Sequence, residues 1–288
     1  MFEKILFPTD FSEYAKKTLD CIAGFPGARE VILFHVIEQV RSPRGGGEIG
    51  NTFYQTGENF LKEERRYLEK LNQDLRVTTA VKTSSDTAGA IIETAEETGV
   101  SLIVIGARGK NLVEGMLLGS VSMAVLRRSR TNVLIMRHKI IEEMKRKTYE
   151  KFCPMILFRV LCPVDFSKYS DSAIALLSRT KGVREVILLH VVSQGKTAAE
   201  IKDAVQKAKG QIEAIRSSLA AQGIDVRTIV SAGNPTFEIT RIADEEDISV
   251  IWMRSHGKGW FRELLLGSTA DTVAMNAKRP VIIIRKPE

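Results

Sequence analysis

The chain contains the sequence PTDFSEY at residues 8–14 and repeats it as PVDFSKY at residues 163–169. A second pair of matching segments, GAREVILFHV at residues 27–36 and GVREVILLHV at residues 182–191, has the same spacing of 155 residues. Near the end of each copy the spacing becomes 148 residues, because Gly119-Ser120 returns as Gly267-Ser268. Repetition over such long segments predicts two copies of one domain in tandem.

The change of spacing indicates seven additional residues in the first copy. They fall between Gln39 and Gly57, where three consecutive glycines, Gly45 to Gly47, predict a loop. We place the first domain at residues 1–138 and the second at residues 156–288. The connecting residues 139–155 are rich in charge and predict a partly helical linker.

Each copy alternates short apolar runs with helical patterns. In the first copy we expect strands at Ile5–Phe7, Val31–Ile37, Val77–Val81, Leu102–Ile105 and Val133–Met136, and helices over residues 12–24, 58–75, 87–97 and 118–128. Apolar strands that alternate with helices are typical of a parallel sheet covered by helices on both faces. The sequence therefore predicts an α/β protein with two doubly wound, five-stranded parallel-sheet domains.

Composition and charge argue against several classes of protein. The chain has 288 residues, 44% of them hydrophobic and 27% charged, which is ordinary for a globular protein rather than a disordered one. The net charge of +7 is mild, and we expect no nucleic-acid partner. No apolar stretch is long enough for a membrane helix, so we expect a cytoplasmic protein without a membrane partner. The three cysteines and four histidines are scattered, and we expect no metal site.

Two features at the ends of predicted strands favour a phosphate ligand. Gly106-Ala107-Arg108-Gly109 follows the fourth strand, and Gly119-Ser120-Val121-Ser122 opens the next helix nine residues later. Glycines admit a phosphate close to the backbone, and a helix N-terminus offers free N–H groups to an anion. Asp10 follows the first strand, where a carboxylate can accept hydrogen bonds from ribose hydroxyls. On spacing alone, simple turns and helix caps explain the same residues equally well.

The signatures of common catalytic sites are absent from the sequence. It has no GxxxxGK[ST] phosphate loop, no GxSxG nucleophile elbow and no kinase catalytic loop. His35 is better explained as a packing or hydrogen-bonding residue than as a catalyst, because no nucleophile can be paired with it. A slow ATPase or autophosphorylating enzyme, and a scaffold with a vestigial nucleotide site, remain alternatives to a binding protein.

Together these motifs resemble the universal stress protein family, in its ATP-binding branch. The resemblance rests on PTDFS at residues 8–12, LFHV at residues 33–36 and the G-x2-G-x9-G-S pattern from Gly106 to Ser120, and it extends over both copies. It implies a strand order of 3-2-1-4-5 in the adenine nucleotide alpha hydrolase-like fold, a regulatory or stress-response role, and ATP or AMP as the ligand, with Mg²⁺ as an optional companion. It places an adenosine side at Pro8, Thr9, Asp10 and Val36, and a phosphate side at Ile105, Gly106, Arg108, Gly109, Gly119, Ser120, Val121 and Ser122.

The second copy departs from this pattern at two positions. Arg254 stands where the first copy has Gly106, and Ala270 stands where it has Ser122. A weakened or lost second site and an altered site in which the arginine pairs with phosphate are both open. The resemblance also implies dimer-like pairing of the two domains within one chain, through their apolar last strands, and a homodimer of chains is a further possibility.

Overall fold

The first domain is a parallel five-stranded sheet with helices between its strands. The computed structural model describes residues 1–39, 47–108, 118–143, 146–151, 155–193, 195, 197–255 and 266–285. They divide into two compact units, one formed mainly by residues 2–136 with 140–150 and the other mainly by residues from 151 onward. The strands of the first are β1 (Lys4–Pro8), β2 (Glu30–Glu38), β3 (Arg76–Ser84), β4 (Leu102–Gly106) and β5 (Asn132–Met136). Its helices are α1 (Glu13–Ala23), α2 (Gly47–Leu71), α3 (Thr87–Thr98) and α4 (Ser120–Arg128).

The strand order in this domain is β3-β2-β1-β4-β5, and the neighbouring strands run parallel. The predicted α/β fold and the predicted order 3-2-1-4-5 are thereby confirmed. The middle strand β1 is fully buried at Ile5, Leu6 and Phe7, because both faces of the sheet are covered. Ser12 caps α1, and Gly99 ends α3 in a left-handed conformation, as the sequence predicts.

Helix α2 differs from its prediction at both ends. The expected loop up to Gly57 is helical from Gly47 onward, whereas Gly45 and Gly46 lie outside the described residues. At the other end α2 stops at Leu71 rather than at residue 75. Of the apolar residues that predicted this helix, Leu61 and Leu68 are buried, but Phe60 and Leu71 are each nearly half exposed. The spacing of apolar residues therefore predicted the buried face of α2 correctly, but it also included two residues that are not buried.

The described residues of the segment that connects the two copies form two strands and not the expected helical turns. Strand β6 (Lys139–Glu143) pairs with β7 (Arg146–Glu150) in a separate two-stranded sheet. β-branched residues are frequent enough in the first of these stretches, at Ile140 and Ile141, to favour a strand. The prediction of a partly helical linker was therefore wrong.

The second domain repeats the architecture of the first. Its strands are β8 (Arg159–Pro163), β9 (Glu185–Val192), β10 (Asp225–Ala232), β11 (Val250–Arg254) and β12 (Val281–Ile284), in the order β10-β9-β8-β11-β12. Its helices are α5 (Lys168–Ser178), α6 (Ala198–Ala220), α7 (Pro235–Glu245) and α8 (Ser268–Asn276). At the start of β9, Glu185 accepts hydrogen bonds from Arg159 Nε at 2.6 Å and from Arg227 Nε at 2.9 Å.

Candidate functional site

The ends of strands β1 and β4 bring the predicted ligand residues of the first domain together. Ile5 pairs with Leu102 and Leu6 with Ile103, so β1 and β4 are direct neighbours and run in the same direction. Their last residues, Pro8 and Gly106, therefore leave the sheet at the same edge. In the order 3-2-1-4-5 this is the point where the chain connections diverge, which is where open α/β sheets form a ligand crevice. We call this place the β1–β4 edge.

Asp10 lies in a tight turn on the β1 side of the edge. Its Oδ1 accepts the N–H of Ser12 at 3.1 Å, and Ser12 Oγ in turn accepts the N–H of Ala15 to cap α1. Between them Phe11 has a φ of 60°, a left-handed conformation that is unusual for an aromatic residue. Asp10 is thus a turn aspartate, as the simpler interpretation of the sequence held, and it is also half-buried at the edge where a ribose carboxylate was expected.

The backbone around Thr9 is fixed by the neighbouring strand β2. The Thr9 N–H donates to Phe34 O at 2.8 Å, and His35 Nδ1 donates to Thr9 O at 2.9 Å. The His35 ring also packs against the Phe11 ring, with centroids 4.4 Å apart. His35 therefore has the hydrogen-bonding role that the sequence suggested. On the same side Pro8 ends β1, and Val36 lies half-buried near the end of β2.

Gly106 lies close to a neighbouring side chain and to the loop that follows β4. A Cβ atom at this position would lie 3.1 Å from Arg108 O and 3.1 Å from Tyr14 Cδ1. Tyr14 is held there because its hydroxyl donates to Met136 O at 2.9 Å, and Met136 O also accepts the N–H of Ala107. The sequence analysis did not include Tyr14 in the site, although its recurrence as Tyr169 was a visible signal.

The N-terminus of α4 forms the β4 side of the edge. Within the part of the chain that the structure describes, no side chain caps this helix at Gly119. Gly119 donates its own N–H to Ala107 O at 2.8 Å, which leaves the N–H groups of Ser120, Val121 and Ser122 as the orphan donors of the first turn. Gly119 has a φ of −71°, and the nearest described atom to a Cβ there is Ala107 O at 3.6 Å. The described fold would accept a side chain at this glycine, in contrast to Gly106.

The remaining phosphate-side residues have distinct positions. The Ser122 hydroxyl is buried and donates to Gly106 O at 2.7 Å, so it fastens α4 to β4 instead of pointing outward as a free donor. Ser120 is exposed and Val121 is half-buried. Ile105 is buried within the sheet, and Arg108 is half-buried after it. Gly109 lies outside the described residues.

A family model confirms the family that the sequence resembles. The model of the universal stress protein family matches residues 1–137 and again residues 157–285. The chain belongs to the universal stress protein family. It is 29% identical over 153 residues to universal stress protein MJ0577 of Methanocaldococcus jannaschii, a match that covers 44% of this chain and 94% of that protein.

Two longer similarities extend over both copies. Universal stress protein Rv2623 of Mycobacterium tuberculosis is 28% identical over 193 residues, which cover 64% of this chain and 61% of that protein. A crystal structure of a universal stress protein from Archaeoglobus fulgidus matches 99% of this chain and 97% of its own with a TM-score of 0.72, at 24% identity. That similarity shows the fold of the tandem chain. Among the described residues, no helix of this universal stress protein is long and apolar enough to cross a membrane.

The second universal stress protein domain keeps the turn but changes the residues around it. Asp165 Oδ1 accepts both the N–H and the hydroxyl of Ser167, at 3.0 and 2.6 Å, and Phe166 again has a left-handed φ, of 57°. Gly267 donates its N–H to Ser255 O as Gly119 does to Ala107 O. The backbone of the aspartate turn and of the last helix's N-terminus is therefore the same in both domains.

At the two substituted positions, the second domain has side chains that differ in chemistry from Gly106 and Ser122 of the first domain. Arg254 ends β11, and its Nη1 donates to Arg285 O at 3.1 Å. Burial, together with the nearby charge of Arg254, lowers the pKa of Arg285 to about 10. Ala270 is buried and has no hydroxyl with which to reproduce the bond from Ser122 to Gly106.

Proposed function

We propose that the first domain binds an adenine nucleotide, ATP or AMP, at the β1–β4 edge, and that the chain acts as a nucleotide-dependent regulatory or stress-response module. The observation that carries this proposal is the α4 N-terminus, which lacks a side-chain cap among the described residues and lies across the edge from Asp10. Uncapped N–H groups and the positive end of the helix dipole suit a phosphate. The carboxylate of Asp10 suits the hydroxyls of a ribose.

The chemistry of this edge supports binding more directly than catalysis. The groups on the β4 side are backbone N–H groups and the exposed hydroxyl of Ser120, which hold a phosphate without activating a nucleophile. Within the described residues, no cluster of three histidine, cysteine or acidic side chains could hold a metal ion. Mg²⁺ would therefore arrive on the phosphates and keep most of its waters, as it commonly does in nucleotide sites.

A single substitution at Gly119 tests the proposal. A serine is a good N-cap residue, and its side chain would accept the N–H groups of the first turn that the phosphate requires. Each hydrogen bond to a charged group is worth about 1.5–3 kcal/mol, so Gly119→Ser should weaken ATP binding by about tenfold or more without lowering stability. Isothermal titration with ATP and AMP measures this effect.

The matched control is Gly24→Ser, the same substitution at the end of α1. No described atom lies within 4 Å of a Cβ at Gly24, and the position is remote from the β1–β4 edge in sequence and topology. This variant should bind ATP like the wild type. Wild-type protein that binds neither nucleotide at millimolar concentration, or Gly119→Ser protein with unchanged affinity, would refute the proposed site.

A further inference from the structure

A polar pair, of which one member is buried and the other half-buried, connects helix α2 to the turn at Asp10. Thr9 Oγ1 donates to Glu64 Oε1 at 2.9 Å, although the two residues are 55 positions apart in the chain. The same Thr9 oxygen accepts the N–H of Phe11 at 3.0 Å. Thr9 is 6% exposed and Glu64 is half-buried, so both hydrogen bonds are partly sheltered from water, which makes them costly to leave unmade.

This pair acts on the residue that gives the turn its shape. Phe11 is the residue with the left-handed φ, and a conformation of this kind is strained unless the surroundings hold it. Its N–H is bound by the Thr9 hydroxyl, and its ring lies between the rings of His35 and Phe60, at 4.4 and 5.2 Å. Asp10 directly precedes Phe11, and its Oδ1 accepts the N–H of Ser12 on the other side, so the conformation of Phe11 sets where this carboxylate is bound.

Helix α2 approaches the turn along one face. Gly57, Phe60 and Glu64 follow one another at helical spacing and contact His35, Phe11 and Thr9 in that order. A Cβ at Gly57 would lie 3.2 Å from His35 Cδ2, so the glycine permits this close approach. Of these three residues of α2, Glu64 is the one that makes a polar contact with the turn.

The second domain provides an internal comparison, because it lacks both members of the pair. Val164 replaces Thr9, while the bond from His190 Nδ1 to the backbone oxygen of this residue is retained at 2.8 Å. The buried pair Leu61 and Leu68 of α2 corresponds to the buried Ile212 and Leu219 of α6, a spacing of 151 residues, which places Ile215 at the position of Glu64. Four of the seven additional residues of the first copy therefore precede this part of α2, and not all seven as the sequence analysis expects. Val164 and Ile215 cannot form the hydrogen bond.

The histidine contact is therefore a property of the fold in both domains, whereas the threonine–glutamate contact occurs in the first domain alone among the described residues. The replacement of Thr9 by Val164 and that of Glu64 by Ile215 are physically linked, because a glutamate opposite a valine would lose its hydrogen-bond partner. The polar pair accompanies the domain that retains Gly106 and Ser122.

We propose that Glu64 is a positioning residue of the nucleotide site, which holds Thr9 and Phe11 so that Asp10 is oriented toward the ribose. This proposal rests on the proposed nucleotide site of the first domain. Glu64 acts through Thr9 on the adenosine side, and the phosphate side at α4 is independent of it. Loss of the carboxylate should affect every ligand that contains a nucleoside by the same factor.

The experiment compares Glu64→Ile and Thr9→Val, which copy the second domain, with Glu64→Gln. In titrations, each of the first two variants should lower the affinity for ATP, AMP and adenosine about tenfold, and the double variant should lose no more than either single variant. Glu64→Gln keeps an oxygen acceptor for Thr9 and should remain within about twofold of the wild type. Inorganic tripolyphosphate, which lacks the nucleoside, should bind all variants equally.

A second measurement follows the turn without any nucleotide. Hydrogen exchange of the Phe11 amide, measured by NMR, should accelerate in Glu64→Ile and stay unchanged in Glu64→Gln. Glu63→Ile is the matched control, because it removes an exposed carboxylate from the neighbouring position of the same helix. It should alter neither exchange nor affinity.

Unchanged Phe11 exchange in Glu64→Ile overturns the proposal, and so does faster exchange with unchanged nucleotide affinity. Equal losses for adenosine and tripolyphosphate also overturn it, because they would indicate general destabilisation of the domain. Wild-type protein that binds no nucleotide refutes the proposed site itself, and the exchange rate of Phe11 then decides whether Glu64 holds this turn.

Discussion

Replacing Gly106 by alanine should destabilise the first domain, for a reason that lies in its packing and not in its ligand. The new Cβ would lie 3.1 Å from Arg108 O and 3.1 Å from the Tyr14 ring. The ring cannot withdraw freely, because its hydroxyl is bound to Met136 O and the residue is 4% exposed. Adding a methyl group to such a well-packed place typically costs about 1–3 kcal/mol.

An opposite effect reduces this cost. Alanine restricts the unfolded chain more than glycine does, which stabilises a protein by about 0.4–1 kcal/mol where the backbone accepts the substitution. We therefore expect a net loss of roughly 1–2 kcal/mol for Gly106→Ala. Gly24→Ala is the control, since no described atom lies within 4 Å of its Cβ, and it should leave the stability unchanged or slightly raised.

A second variant distinguishes the contribution of the Tyr14 ring from that of its hydroxyl. Tyr14→Phe removes the bond to Met136 O, but that oxygen still accepts the N–H of Ala107, so the expected cost is about 0.5–1 kcal/mol. The cost of Gly106→Ala should persist in the Tyr14→Phe background, because the ring is what the methyl group meets. Disappearance of the cost in that background would contradict this explanation.

Hydrogen exchange of the β4 amides measures the stability of the first domain directly. Tryptophan fluorescence does not, because Trp252 and Trp260 both lie in the second copy, and it serves instead as the control that this copy is unaffected. An unchanged β4 exchange rate in Gly106→Ala would refute the packing argument. The result also bears on Gly106→Arg, whose loss of nucleotide binding would follow from packing alone and would not by itself demonstrate a phosphate contact.

Three further predictions concern the second domain and the cysteines. Arg254→Gly should leave one ATP site per chain in calorimetric titration, because Ala270 still lacks the hydroxyl; two sites would contradict this. Burial raises the pKa of the Cys162 thiol to about 12, so a thiol reagent at pH 8 should modify Cys21 before Cys162 and reach Cys162 only on unfolding, as mass spectrometry of labelled peptides would show. Burial opposes ionisation of Glu185, but two arginine partners outweigh it and lower its pKa, so Glu185→Gln should cost about 0.5–1 kcal/mol at pH 7. This difference should shrink as the pH falls below about 4.3, the usual pKa of an unfolded glutamate; a constant difference would contradict it.

Much of the fold could be predicted because its signals are local. The buried strands are nearly continuous apolar runs, and caps such as Ser12 and Gly99 depend on neighbouring residues alone. The start of α2 could not be predicted in this way, since glycines at residues 45–47 favour a loop by themselves, yet the helix begins at Gly47. Residues 52–56 are exposed and the packing against β2 and the turn after β1 begins at Gly57, so the described packing does not explain this early start. The pairing of the two last strands with each other stays a prediction.

The candidate site could be predicted where residue type and spacing determine the chemistry. Asp10 and the glycines after β4 were identified because a parallel sheet brings consecutive strand ends to one edge. Glu64 was missed, since it lies 55 residues from Thr9 on a helix whose rotation the sequence does not fix. Ser122 was identified as a donor, but its partner, Gly106 O, is a backbone atom that no sequence pattern reveals.

The two domains together separate what the fold requires from what a ligand would require. Both contain the aspartate turn, the left-handed phenylalanine and the histidine bonded to the preceding strand, so these features are explained by the fold alone. Thr9, Glu64, Gly106 and Ser122 are found in the first domain and are replaced in the second by Val164, Ile215, Arg254 and Ala270. Gly106 shows why this comparison needs the structure, because a Cβ there would approach the Tyr14 ring closely, so packing favours a glycine at this position as a phosphate would. Gly119 is a different case, because the described fold accepts a side chain at this position and no side chain caps α4 there, so nucleotide binding would explain a glycine that the described packing does not.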